Sequence, residues 1–203
     1  MPVTWQEIKL ATLQKMFSSD GTTIDSADDA ISEYMNAMPQ AANEAMQMLA
    51  TAGRYIRKSV TFDKDKDEAF VADMTKDVKD FYRMGTPEVY SIDDDDIPTP
   101  YYDTLFMGGK YLVFPKEAEG TFEVFYDAKP TKITLDTADD TEINLPDDAV
   151  VLLPLYMASQ LYKDDDIAVS TYYRNEFETA FERLKNPDRT PGKEEFYSNT
   201  GWW

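Results

Sequence analysis

The sequence of 203 residues contains no cysteine and no histidine. The chain therefore has no disulfide, no zinc site with Cys or His ligands, no thiol nucleophile and no His-based catalytic triad. It also lacks the side chain that most often serves as a general base near neutral pH. Carboxylates alone can still catalyse hydrolysis, as they do in glycosidases. These absences argue against an enzyme without excluding one.

Basic residues are scarce, since 20 Lys and Arg stand against 39 Asp and Glu and give a net charge of -19. Binding nucleic acid through its phosphates requires a basic surface, so we do not expect it here. An acidic surface favours solubility, and it would also let DNA pass without adhering. No apolar run approaches the roughly 18 residues of a membrane span, and MPVTWQEIKL does not resemble a signal peptide. We expect no membrane segment, and a protein that stays in the cytoplasm that made it or in a particle assembled there.

Apolar residues at helical spacing predict three helices in the N-terminal part. Thr4 and Glu7 have the spacing of a capping box, and the first helix follows them to about residue 17. A second helix is predicted over residues 25–38, with acidic side chains in its first turn. Pro39 suits the first turn of a helix, so a third helix is predicted over residues 39–53.

Residues 57–142 change character and predict five to seven short strands in a small antiparallel sheet or sandwich. In GTFEVFY, the apolar Phe122, Val124 and Tyr126 alternate with their neighbours, so one side of that strand is expected to be buried. KYLVF and GTFEVFY are predicted to form a hairpin, and PTKITLD and TEINL are predicted as two further short strands.

Glycine and proline predict the positions of turns within this region. Gly85–Pro87 is expected to form a turn inside VKDFYRMGTPEVYSI. Gly108–Lys110 lacks the rest of a phosphate-binding loop, so it is predicted to be a hairpin turn.

The late stretch LPDDAVVLLPLYMASQLYKDDD predicts a helix that is apolar, and hence buried, nearly all round. Pro146 is expected at its start, and Pro154 is expected to kink it or to leave one carbonyl unpaired. Asp164–Asp166 would end this helix and cap a last one, over about residues 167–184. The inner side of that last helix is predicted to consist of Ala168, Tyr172, Phe177, Phe181 and Leu184.

The order of helices, strands and helices predicts an α+β fold. Residues 1–56 and 143–185 are expected to form one helical bundle, because each group has apolar faces that need the other. The late apolar helix would lie at the centre of that bundle. Residues 57–142 would be an inserted antiparallel β domain, and residues 186–203 an extended C-terminal arm.

The C-terminal tail NPDRTPGKEEFYSNTGWW has no periodicity and is expected to be extended. It nevertheless ends in aromatic side chains, which are the preferred anchors of protein interfaces. We predict that the tail is a docking arm for a partner or a neighbouring subunit, with the partner-binding residues Phe196, Tyr197, Trp202 and Trp203.

Acidic residues supply the remaining candidates for chemistry. Asp93–Asp96 could attract a metal ion, but it lacks the EF-hand spacing, and a solvated loop is the favoured interpretation. Glu176 and Glu178, or Glu194 and Glu195, could be drawn as a glycosidase pair, although no spacing selects them. We therefore predict no catalytic, cofactor-binding or metal-binding residue.

The segment from Gly109 to Leu184 resembles the head–tail connector, or adaptor, proteins of tailed bacteriophages. The resemblance is carried by GTFEVFY, by PTKIT, by the LP that opens the apolar stretch, and by YMASQLYKDDD and YYRNEFE. It covers a little under half of the chain. The N-terminal helices are compatible with it.

The resemblance implies a structural protein of the virion that forms a ring, usually of twelve copies, beneath the portal protein. Such a ring would continue the DNA channel and present a platform to the next connector or tail protein. DNA would pass through its lumen without specific binding, and assembly would take place in the cytoplasm of the host bacterium. The resemblance also implies that the C-terminal arm reaches the portal, and it requires neither a cofactor nor a membrane.

Two alternatives remain open from the sequence. One is another head-completion or tail-terminator protein, but most of these are smaller and β-dominated, unlike the long helical C-terminal half. The other is a carbohydrate-binding or hydrolytic β domain on a helical stem. Exposed aromatic side chains in the sheet, or two carboxylates that face one cleft, would favour that alternative.

Overall fold

The computed structural model describes residues 3–17, 29–51, 56–93, 95 and 97–185. They form helices and two antiparallel sheets, which confirms the α+β class. The helices are α1 (Trp5–Phe17), α2 (Asp29–Thr51), α3 (Met74–Asp77), α4 (Asp147–Val150), α5 (Leu153–Leu161) and α6 (Ile167–Lys185). The strands are β1 (Ile56–Lys64), β2 (Phe70–Asp73), β3 (Phe81–Ile92), β4 (Pro98–Tyr101), β5 (Leu105–Met107), β6 (Tyr111–Phe114) and β7 (Gly120–Ala128). None of the described helices is both long enough and apolar enough to cross a membrane.

The strands are divided between a four-stranded sheet with the order β1-β7-β3-β4 and a three-stranded sheet with the order β2-β6-β5. Aromatic side chains join the two sheets. The ring centroids of Phe114 and Phe122 lie 4.8 Å apart, and those of Phe62 and Phe70 lie 5.6 Å apart. The predicted alternation in β7 is confirmed, because its inward side chains Phe122, Val124 and Tyr126 are all buried. The sheets therefore share an aromatic core.

The predicted hairpin of KYLVF and GTFEVFY is wrong. These segments form β6 and β7, which lie in different sheets and pair with different strands. The connecting residues 115–119 cross from one sheet to the other, so the two strands face each other across the core. A short loop is compatible with either arrangement, and only the packing of the aromatic side chains distinguishes them.

The predicted turn at Gly85–Pro87 is also wrong, because β3 continues through these residues. Phe81 and Val89, which flank the segment, both pair with β7. Register shifts between Arg83 and Glu88 accommodate the extra residues as a bulge. Since one long partner strand holds both halves of β3, the chain does not reverse where the local sequence favours a turn.

Residues 129–146 were predicted to contain two more strands, but they contribute only an isolated bridge between Thr4 and Glu142. The segment instead packs against the helices. The backbone N–H of Trp5 donates to the carbonyl of Thr141 over 2.8 Å. The first N–H groups of a helix have no partner within the helix. In this protein the carbonyls of Thr141 and Asp139 accept hydrogen bonds from the N–H groups of Trp5 and Gln6. These carbonyls of the segment are therefore paired without a neighbouring strand.

The two longest described helices, α2 and α6, and helix α1 all pack against α5. Leu153 at the start of α5 and Met157 at its centre are fully buried, as is Phe177 of α6. The predicted burial of the late apolar stretch is thereby confirmed for these residues. Helices α1, α2 and α6 share an apolar core around α5.

One helix, α2, replaces the second and third predicted helices, and Pro39 lies inside it. Proline removes a backbone hydrogen bond and crowds the preceding turn. Met38 and Ala42, on either side of Pro39, are both fully buried. The apolar face of the helix continues across the proline, so packing outweighs the local preference for a break.

The late apolar stretch is divided where the sequence predicted only a kink. Helix α4 ends at Val150 and α5 begins at Leu153, with Pro154 in its first turn. The first turn of a helix requires no N–H donor at that position, so proline is accommodated there. Proline therefore begins a helix here, whereas in α2 it lies within one.

Both predicted helix caps are confirmed. The N–H of Thr4 donates to Glu7 Oε2 over 2.8 Å, and the N–H of Glu7 donates to Thr4 Oγ1 over 3.3 Å. Asp166 Oδ1 accepts from the N–H groups of Ala168 and Val169, at 2.9 and 3.1 Å. Capping depends on residues close in the sequence, which is why the sequence could predict it.

The last helix is confirmed, but only part of its predicted inner side is correct. Phe177 and Phe181 are buried, whereas Ala168 and Tyr172 are exposed. Tyr172 precedes Phe177 by five positions, which places it about 140° away around the helix. The buried side includes Ser170 instead, whose hydroxyl donates to the carbonyl of Ser159 over 2.7 Å.

Candidate functional site

The residues predicted to bind a partner through the C-terminal arm, Phe196, Tyr197, Trp202 and Trp203, lie outside the described residues. Their role stays a prediction. The described structure ends at Lys185, the last residue of α6.

The glutamates considered as a hydrolytic pair are each bound by a neighbour on α6. Glu176 Oε1 accepts from the Tyr172 hydroxyl over 2.7 Å, and Glu178 Oε1 pairs with Arg174 Nε over 2.7 Å. Residues two positions apart on a helix do not face each other. This arrangement does not support their joint action on one bond, and the other candidate pair, at positions 194 and 195, lies outside the described residues.

The acidic loop between β3 and β4 is organised by one carboxylate. Asp93 Oδ1 accepts from the N–H groups of Asp95 and Ile97, at 3.0 and 2.8 Å. Asp94 and Asp96 lie outside the described residues. Across the described part of the chain, no group of three or more His, Cys, Asp or Glu side chains is placed to hold a metal ion.

The Gly108–Lys110 segment is the hairpin turn that was predicted, between β5 and β6. Both glycines have positive φ, 59° for Gly108 and 71° for Gly109. The N–H of Lys110 donates to the carbonyl of Met107 over 3.2 Å. Two consecutive residues with positive φ are typical of the tightest hairpin turns, so the local geometry explains these residues without a phosphate ligand.

The aromatic side chains of the sheets are used mainly in the core. Phe81, Phe114, Phe122 and Tyr126 are buried, and the Tyr126 hydroxyl donates to Asp80 Oδ1 over 2.7 Å. A carbohydrate site would require such rings on the surface. Tyr102, directly after the end of β4, is 85% exposed, and Tyr82 of β3 is 36% exposed. Tyr101 pairs with Val89, seven positions from Tyr82, so these two rings do not adjoin to form a binding platform.

An acidic groove of about 400 Å³ lies between α2 and the C-terminal end of α5. The carboxylates of Glu33, Glu44, Asp164 and Asp165 line it, and its described lining contains no Lys or Arg. The groove shows that part of the net negative charge is concentrated on the helical part of the protein. Its electrostatic potential would attract cationic groups and repel phosphates.

Two tyrosines connect the walls of this acidic groove. The Tyr34 hydroxyl of α2 donates to Asp165 Oδ2, and the Tyr156 hydroxyl of α5 donates to Glu44 Oε2 over 3.1 Å. The hydrogen bond to Asp165 and, after it, burial raise the pKa of Tyr34 to about 12. Tyr34 therefore stays neutral at physiological pH and holds α2 against the end of α5.

The sequence interpretation missed an apolar surface on the three-stranded sheet. Val71, Leu105 and Met107 are 57%, 64% and 51% exposed. The signal was present, because FVA, LFM and YLVF are apolar at consecutive positions and so place apolar side chains on both faces of their strands.

The described surface thus includes an acidic groove on the helical part and exposed apolar side chains on the three-stranded sheet. The family model of the SU10 adaptor protein matches residues 4–195. The chain therefore belongs to the SU10 adaptor protein family and is a phage head–tail adaptor protein, as the resemblance predicted. Membership of a structural adaptor family also argues against an enzyme. A search of curated proteins found no match to this chain.

Proposed function

We propose that the protein forms a ring, of twelve copies, beneath the portal protein and joins the phage head to the tail. The proposal rests on the family match, which spans the described helices and both sheets and continues ten residues beyond Lys185. In the mature virion the ring would lie at the head–tail interface, after assembly in the cytoplasm of the host. One face would contact the portal and the other the next connector or tail protein.

The charge of the chain supports a role at a DNA channel. A net charge of -19 per copy gives a ring a strongly acidic surface, and an acidic lumen repels phosphates instead of binding them. The acidic groove between α2 and α5 contributes to this potential. We propose that DNA passes through the ring without specific contacts.

The arm, residues 186–203, is proposed to bind the portal through Phe196, Tyr197, Trp202 and Trp203. Large aromatic side chains bury much area for little loss of conformational entropy, and they are frequent anchors of interfaces. Its attachment to the end of α6 would let the arm reach a partner while the sheets and helices keep their packing. In this proposal residues 57–142 form the β domain, whose two sheets contact other virion proteins while its last part, residues 129–142, packs against the helices.

The test is co-expression of the full chain with the portal protein, followed by mass determination and negative-stain imaging. We expect a ring stacked on the portal, and we expect its loss when residues 186–203 are deleted or when Trp202 and Trp203 are replaced by Ala. Replacement of Asn199 and Thr200 by Ala is the matched control, since it alters the same arm but keeps its aromatic side chains.

Three outcomes would separate the parts of this proposal. If the deleted chain binds the portal as before, the arm is not the contact, although the ring role stands. If the full chain does not associate with the portal, the ring role fails. If the chain instead binds glycans through its sheets, the alternative of a carbohydrate-binding domain is favoured.

A further inference from the structure

The outer face of the three-stranded sheet is apolar except for Asp73 of β2, which pairs with Tyr111. Leu105 of β5 pairs with Val113 of β6, and Val113 also pairs with Val71 of β2. Directly paired residues lie on the same face of a sheet. Met107 and Tyr111 form the next pair on this face. We name Val71, Leu105, Met107, Tyr111 and Val113 the apolar sheet face.

This face differs from the corresponding face of the four-stranded sheet. On that sheet the outward side chains include Asp127, whose carboxylate pairs with Arg57 Nη1 at 3.2 Å and Arg83 Nε at 3.0 Å. Thr61 and Glu123 continue the polar surface as a cross-strand pair. An antiparallel sheet with one face in water normally carries polar side chains there. The outer face of the four-stranded sheet is mixed, because Phe125 and Tyr90 lie on it beside Glu123. The outer face of the three-stranded sheet carries only one carboxylate, Asp73.

The apolar sheet face is also unusual in its charge. Its one carboxylate, Asp73, is paired with Lys76 at 3.5 Å and has only 14% of its side chain exposed. The Lys110 amine lies 4.3 Å from the ring centroid of Tyr111, at the edge of the face. The side chain of Lys76 is 79% exposed. The face is therefore apolar at its centre, with cations at its rim, in a chain whose net charge is -19.

We propose that the apolar sheet face binds a second copy of this chain. Every copy presents an acidic surface, so a second copy would match the cationic rim while its own apolar side chains cover the centre. Contact between two acidic surfaces would instead bring like charges together. The contact is head-to-tail, because the partner surface is acidic and so differs from the face itself, and head-to-tail contacts form a ring when the rotation between neighbours closes.

This inference deepens the proposed ring and rests on it, since it names the surface through which neighbouring copies meet. Its test uses the full chain alone, by sedimentation from micromolar to near-millimolar concentration. We expect concentration-dependent self-association. The double substitution Leu105→Thr and Met107→Thr should weaken it about tenfold or more, as removal of large central side chains does in interfaces. Threonine keeps the strand propensity, so the circular dichroism spectrum and the unfolding midpoint should not change.

The matched control is Val151→Thr with Ile167→Thr, in the helical part of the protein. These side chains are 61% and 69% exposed, so the control removes a similar amount of exposed apolar surface. It should leave self-association unchanged. Lys76→Gln with Lys110→Gln should weaken self-association and reduce its dependence on salt, because it removes the cations of the rim.

Several outcomes would overturn the inference. A chain that stays monomeric throughout the range has no such contact, and equal weakening by the control would show a non-specific apolar effect. Stronger self-association after deletion of residues 186–203 would show that the chain's own arm covers the face. Loss of portal binding by the Leu105→Thr and Met107→Thr variant, with self-association intact, would assign the face to the portal. A ring that this variant still forms on the portal would refute the inference while the proposed function stands.

Discussion

The amide of Asn43 offers a sharp test of how the segment 129–146 is held against the helices. Asn43 lies on α2, and its Nδ2 donates to the carbonyl of Ile133 over 2.7 Å. Its Oδ1 accepts from the N–H of Ile133 over 2.8 Å. Ile133 is 2% exposed, so water cannot replace either bond. One side chain thus satisfies both backbone groups of a buried residue that no strand pairs.

The expected effect of Asn43→Ala follows from this geometry. A hydrogen bond contributes about 0.5–1.5 kcal/mol net, and a buried group left without a partner costs about 1–3 kcal/mol. Since Asn43→Ala leaves both the N–H and the carbonyl of Ile133 unpaired, we expect a loss of about 2–4 kcal/mol in the free energy of unfolding. Asn43→Asp keeps the acceptor but removes the donor, and its charge faces the carbonyl. It should therefore destabilise the fold at neutral pH despite its similar shape.

The assay is urea denaturation of the full chain followed by circular dichroism, at a concentration where it is monomeric. Gln40→Ala is the matched control on the same helix, because the Gln40 amide bonds only the exposed Glu44, over 3.2 Å. We expect that control to change the free energy of unfolding by less than about 0.5 kcal/mol. If Asn43→Ala lowered stability no more than Gln40→Ala does, the segment would not depend on this amide, and the account of its packing would be refuted.

Three further predictions concern the core, a turn and a titrating group. Phe177→Ala should lower the free energy of unfolding by about 3–5 kcal/mol, because the substitution opens a cavity in the helical core. Tyr172 on the same helix is 59% exposed, so Tyr172→Ala should change the free energy of unfolding little. Gly109→Ala should destabilise by about 1 kcal/mol because φ is 71° there, whereas Gly85→Ala, at a glycine without positive φ, should be neutral or slightly stabilising in the same denaturation assay. The pKa of Tyr34 is raised from 10.0 to about 12. The contribution of its neutral hydroxyl to the free energy of unfolding is therefore complete below pH 10.0 and is lost as the pH rises towards 12. The difference in unfolding free energy between the wild type and Tyr34→Phe should therefore shrink over that range, and a constant difference would contradict the assignment.

The sequence predicted the features that depend on neighbouring residues. The cap at Thr4 and Glu7, the cap at Asp166 and the turn at Gly108–Lys110 each need only a few adjacent side chains and a local backbone conformation. The family resemblance was also visible, because GTFEVFY and the late helical motifs lie in continuous segments. These predictions were confirmed because no distant residue competes with them.

Errors arose where distant packing opposes a local preference. Pro39 and Gly85–Pro87 are locally typical of a helix start and a turn. In the structure the apolar face of α2 continues past Pro39, and β7 holds both halves of β3. Distant packing also decides the orientation of KYLVF. Its apolar residues lie on both faces of the strand, so the sequence does not reveal which face meets the other sheet and which is left exposed.

The sequence by itself determined the acidic and cysteine-free character of the chain, the order of a helical part, a strand-rich part and a second helical part, the local caps and the adaptor family. It could do so because composition, periodicity and capping are properties of continuous segments. Only the tertiary structure decided that the strands divide between two sheets, that residues 129–146 serve the helices, and that Val71, Leu105 and Met107 share an exposed face. Each of these depends on contacts between residues far apart in the chain, and such contacts are selected by the packing of the whole core.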